Sequence, residues 1–206
     1  MNIKERVICH KYILTYARGV NMGNRNVYLL LTDTGTLFTR MIKLYTKECL
    51  NHASISFDSD FKEVYSFGRK RPKNPFIGGF VKEDVRSELF RNASCEIYVF
   101  NVSEKQYHNM LLLIKEIEKN QQLYRYNLLG LFAIVLNKKL HRKHAFFCSH
   151  FVATVLQEGR LLNTTKHISM MTPQDLKQTS SHRLIYQGNL QTYFSYEDPI
   201  IYHSSS

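Results

Sequence analysis

Residues 145–159 read AFFCSHFVATVLQEG. Counting from Cys148, apolar residues fall at Phe151, Val152, Val155 and Leu156, the spacing of one face of an α-helix. The pattern predicts a helix from about Cys148 to Glu158, stopped by Gly159 at its C-terminal cap. Cys148 therefore opens the helix on its buried stripe. A cysteine on an apolar face is most often a small core hydrophobe. A thiol at a helix N-terminus also meets the positive end of the dipole, which favours thiolate. A nucleophile there would need a base within hydrogen-bond reach.

Outward from this helix, the 206 residues read as one domain, 1–206, with 44% hydrophobic and 13% aromatic residues. That composition excludes a disordered chain. Cys9, Cys49, Cys95 and Cys148 form no CxxC pair or dense framework, which fits a reducing compartment and structural roles for the first three. The N-terminus has no leader pattern, and the longest apolar run, Leu128 to Leu136, is too short to span a bilayer. A soluble, cytoplasmic protein is the expectation.

Lys and Arg number 28 against 17 acids, a net charge of +11. The excess concentrates in GRKRPK (Gly68 to Lys73) and NKKLHRKH (Asn137 to His144). Such a balance favours anionic partners. No interleaved aromatic and basic platform accompanies it, which argues against nucleic acid.

Along the chain, NVYLLLT (Asn26 to Thr32) reads as a buried strand, and Leu37, Met41, Ile42 and Tyr45 have helical spacing. In HASISF, Ala53, Ile55 and Phe57 share one face, with His52, Ser54 and Ser56 on the other. The turn DSD and the run EVYSFG make an antiparallel hairpin with it. Arg69 to Phe80, rich in Gly, Pro and basic residues, reads as a long loop whose Gly78 and Gly79 permit lid motion. CEIYVF is a strand, and SEKQ from Ser103 is a capping box for a helix through Tyr107, Met110, Leu111, Ile114 and Ile117. A short helix starts at TPQDL, and RLIYQG closes as a strand. Strands and helices segregate, so the class is α+β with an antiparallel sheet.

His141, His144, Cys148 and His150 lie within ten residues, but their spacing matches no zinc pattern, and the helix turns Cys148 and His150 apart. No metal or cofactor is expected. His52 instead opens a strand on its polar face.

The order of NHASISFD, VYSFGR, YRYNLLGL and FFCSHFVATVLQEG resembles the circularly permuted papain-like branch of the NlpC-type cysteine hydrolases. That branch includes the YiiX-like proteins and the lecithin–retinol acyltransferase-like enzymes. The similarity covers about residues 26–177. It implies a permuted papain-like fold, with the histidine strand ahead of the cysteine helix that packs on the sheet. It implies Cys148 as nucleophile and His52 as base. It places a third, orienting polar residue on the next strand, where Ser66 is the expected occupant; Glu63 is nearby. A serine would fix the imidazole tautomer without stabilising imidazolium as a carboxylate does. The oxyanion would be met by the Cys148 backbone N–H, with Tyr126 or Asn127 as side-chain donors or, equally, as a core tyrosine and a capping asparagine. Three functions follow. The chain is a thiol hydrolase acting on a peptide, amide or ester. Otherwise it is an acyltransferase or hydrolase of lipid esters at an anionic membrane surface, or a binding protein with a degenerate site.

Overall fold

The computed structural model describes residues 24–35, 49–71, 74–127, 144–178 and 182–197. The helix expected over Leu37 to Tyr45, the apolar run 128–136, His141 and Cys9 lie outside them. The architecture is α+β. Six strands form one antiparallel sheet in the order β4-β3-β2-β1-β5-β8. They are β1 (Asn24–Asp33), β2 (His52–Ser56), β3 (Val64–Arg71), β4 (Asn74–Lys82), β5 (Ser94–Ser103) and β8 (His182–Asn189). Two short strands, β6 (Arg125–Tyr126) and β7 (Ala145–Phe146), pair in parallel beside it. The helices are α1 (Glu104–Lys119), α2 (Cys148–Glu158), the single-turn α3 (Pro173–Leu176) and α4 (Leu190–Glu197). Among the described residues, no helix is long and apolar enough to cross a membrane.

The unbroken apolar run of β1 follows from burial on both faces. Val27, Leu29 and Leu31 join Ala53, Ile55, Phe67 and Phe80 in a core closed by α1 and α2. Tyr28 and Leu30 point the other way, toward Val85, Phe90, Leu190 and Phe194. The face expected to be polar on β2 is thereby covered, and Ser54, Ser56 and Ser66 are fully buried. Buried hydroxyls need partners. Ser54 donates to Glu83, Ser56 to the Asp58 carbonyl and Ser66 to the Ala53 carbonyl.

Helix α2 spans the residues its periodicity predicts, with Phe151, Val152, Val155 and Leu156 fully buried. Its C-terminus differs in detail. Gly159 has right-handed φ (−73°), and the left-handed residue is Arg160 (φ 55°). Leu161 N–H bonds the Leu156 carbonyl and Arg160 N–H that of Gln157, a Schellman closure. Position 159 is glycine because α1 is packed on it: a Cβ would come within 2.7 Å of Met110 Sδ. Helix α1 begins as expected, with Ser103 and Gln106 in a reciprocal capping box.

The expected loop over Arg69 to Phe80 is instead the end of β3 and most of β4, paired from Tyr65↔Lys82 to Arg71↔Asn74. Pro75 is accommodated because β4 is an edge strand. Glycine and proline composition suggested a loop, but pairing with β3 supplies the order.

Phe67 fixes α2 to the sheet. Its ring lies 5.2 Å from Phe151, 5.1 Å from Phe146 and 6.0 Å from Phe80, centroid to centroid. Phe67→Ala is expected to cost about 3–5 kcal/mol, through lost burial and an unfilled cavity. Urea unfolding measures it; a loss below about 1 kcal/mol would mean that this aromatic cluster does not hold the helix.

Candidate active site

Strand β2 enters the sheet at His52, and the N-terminus of α2 comes against this end of the strand. The Cys148 sulfur is 4.0 Å from the Asn51 carbonyl oxygen, and the thiol is near enough to the His52 ring to favour its protonated form. The hairpin β3–β4 brings a third group. His52 Nε2 lies 2.7 Å from Glu83 Oε1, just past the end of β4. With Nε2 committed to the carboxylate, Nδ1 is the ring nitrogen left for the thiol. Cys148, His52 and Glu83 thus stand in series at this end of the sheet.

Burial opposes charge on His52, but the Glu83 carboxylate and its hydrogen bond, with Cys148 on the other side, outweigh it. The His52 pKa is held well above its ordinary value. The ring therefore holds its proton more firmly than an ordinary imidazole does. The His52 side chain is 18% exposed, that of Glu83 10%, and Cys148 is 5% exposed. The site is largely screened from bulk water.

Phe147 precedes α2 in extended conformation and supplies no capping side chain. The amides of Cys148 and Ser149 stand at the open end of the helix, ahead of the first intrahelical bond from Phe151 N–H to the Phe147 carbonyl. Gly68 lies beside the imidazole: a Cβ there would meet His52 Cε1 at 3.7 Å and Glu83 Oε1 at 3.8 Å, ordinary contact distances.

The other expected site residues fall as follows. Ser66 does not orient His52. It faces the same side of the sheet, but its hydroxyl donates to the Ala53 carbonyl at 2.8 Å, and Glu83 holds the ring instead. Glu63 is turned to Lys82 and Tyr65. Tyr126 and Asn127 lie beside the cysteine helix through the pairing of β6 with β7, which runs into Phe147 and Cys148. Tyr126 is laid against Gly78, where a Cβ would come within 2.8 Å of its Cβ and Cγ. Asn127 is buried, with its N–H donated to the Phe146 carbonyl. His150 packs on Phe146 and Phe147, turned from the thiol as expected. His144 lies against the Tyr124 ring, and no metal-binding cluster is present among the described residues.

The remaining described thiols differ from Cys148. Cys95 is buried against the sheet, and desolvation pushes it up to about 12. Cys49 is exposed.

Glu83 escaped sequence reasoning because the third group was sought only on β3. Its signal was alternation: Gly79, Val81 and Glu83 continue one face of β4 beside Gly68, Ser66 and Val64. Glu83 also lines an open groove of about 380 Å³ with Phe61, Lys62, Lys82, Asp84 and Arg86. No protein-family model matches the chain, and no curated protein matches it.

Proposed function

We propose that the chain is a thiol hydrolase that cleaves an amide or ester through an acyl-enzyme on Cys148. One observation carries the reading: a thiol at an uncapped helix N-terminus lies beside a histidine whose Nε2 is held by a carboxylate. Nucleophile, base and orienting group are the three parts this chemistry needs. A permuted papain-like architecture goes with it, since the histidine strand precedes the cysteine helix and both meet one antiparallel sheet. Glu83 weighs against a degenerate binding site, whose chief support was a serine in the orienting position.

The thiolate adds to the substrate carbonyl carbon, and the oxyanion is met by the amide of Cys148 at the helix start. The His52 imidazolium gives its proton to the departing amine or alkoxide as the carbon–heteroatom bond breaks, leaving a thioester. The neutral imidazole then takes a proton from water as its oxygen attacks the thioester. Collapse returns the proton to the site and releases the acid and the thiolate. Glu83 stabilises the imidazolium at both stages and keeps Nδ1 turned to sulfur.

Incubation with p-nitrophenyl acetate at neutral pH, quenched in acid and mapped by peptide mass spectrometry, tests the acyl-enzyme. The expected product is one acetyl group on the peptide bearing Cys148. Acetylation spread over lysines and Cys49, with Cys148 unmodified, would contradict the proposal.

A further inference from the structure

We infer that Ser54 is a positioning residue for the catalytic carboxylate, its hydroxyl holding Glu83 so that the opposite oxygen stays on His52. The inference rests on the reading of Cys148, His52 and Glu83 as catalytic. Ser54 and His52 are two residues apart on β2, so their side chains share a face. Ser54 Oγ donates to Glu83 Oε2 at 2.5 Å, while Oε1 meets His52 Nε2 at 2.7 Å. Both carboxylate oxygens are thus committed to one strand, and the plane of the carboxylate is fixed by two points. Glu83 lies just beyond the end of edge strand β4, outside the strand pairing that fixes its neighbours.

Ser54 itself is fully buried opposite Leu30, under the second core cluster. A small apolar residue would fill that place at least as well for packing alone. A hydroxyl there requires a partner, and Glu83 is the partner it has. The charged groups around the series are few. His52 faces Glu83 and Cys148. Glu83 borders the groove of Lys62, Lys82, Asp84 and Arg86, in which Lys62 is paired with Asp60 and Lys82 with Glu63. Ser54 is the neutral donor that sets the carboxylate without competing with His52 for its proton.

The test needs no substrate. In the full-length protein, the His52 ring is titrated by NMR, its signal assigned by its loss in His52→Ala, and Cys148 alkylation by iodoacetamide is timed at pH 6. Wild type is compared with Ser54→Ala, Ser54→Thr, Glu83→Gln and Ser54→Ala/Glu83→Gln. Ser54→Ala is expected to move the His52 titration to lower pH and to slow alkylation by roughly 10-fold, the size of a one-unit shift. Ser54→Thr, which keeps the hydroxyl, restores both, and Ser54→Ala adds nothing once Glu83 is Gln. Should Ser54→Ala fold poorly, the near-isosteric Ser54→Cys is titrated by NMR in its place. If Glu83→Gln moves the titration and the Ser54 variants do not, or if Ser54→Ala adds its full effect in the Gln background, the role of Ser54 is overturned alone. If Glu83→Gln itself moves nothing, the catalytic reading falls with it.

Discussion

Glu83→Gln is expected to slow turnover by roughly 10²- to 10⁴-fold, the range seen when an orienting carboxylate beside a catalytic histidine is neutralised. The amide keeps the size of the side chain and can still bond His52, but it brings no negative charge. Burial already disfavours the charged ring, and Glu83 is the main group that overcomes this. Without it the imidazolium loses its proton at lower pH, so the alkaline limb of the pH–rate profile moves down. The sign for stability follows from the same shift. The folded-state pKa of His52 is raised, so protonation favours the folded protein. That contribution is complete below the unfolded value of about 6.5 and is lost as pH rises through the raised folded value. Urea unfolding of wild type and Glu83→Gln therefore differs most at the acid end of this window and converges above it. Equal turnover and parallel pH profiles in the two proteins would remove Glu83 from the site.

Cys148→Ala has the larger effect on chemistry and the smaller on structure. The thiol is small and nearly buried at the first residue of α2, where alanine keeps the apolar contact and favours the helix. Loss of the nucleophile is expected to lower turnover by roughly 10⁴- to 10⁶-fold and to abolish acyl-enzyme formation, because the remaining groups act only through it. Unfolding by urea should shift by less than about 1.5 kcal/mol, within the range of small core substitutions. Residual turnover within 10-fold of wild type would assign the chemistry to another residue.

The elements that carry the site were legible where periodicity was strong. Helix α2 runs over the residues its apolar spacing marks, and its first residue is the thiol. The alternation in HASISF put His52 and Ser54 on one face, and the sheet pairs them as that pattern requires. Two features were hidden for physical reasons. Strand β4 carries Asn, Pro and two glycines in its nine residues and owes its order to β3, so its own sequence resembles a loop. With that strand went Glu83, nineteen positions beyond the strand start at Val64 and adjacent to His52 only through a hairpin. Ser66 drew the orienting role because it lies on the right face of the neighbouring strand. Local alternation could not show that its hydroxyl is spent on the Ala53 carbonyl. The second hydrophobic layer, with Phe90, Leu190 and Phe194, was likewise out of reach, and it is what turns the serine face of β2 into buried structure.

The pairing of Cys148 with His52 is the centre of this account, and the pH dependence of iodoacetamide alkylation tests it most directly. Peptide mass spectrometry follows each thiol in wild type and His52→Ala, with exposed Cys49 and buried Cys95 as internal references. In wild type Cys148 is expected to react well below pH 7 and at lower pH than exposed Cys49, while buried Cys95 stays inert. In His52→Ala the reaction of Cys148 at acid pH is lost, and its profile moves toward the ordinary thiol range near about 8.5. A Cys148 profile that matches Cys49, or one that His52→Ala leaves unchanged, would contradict a thiolate–imidazolium pair and the hydrolase built on it.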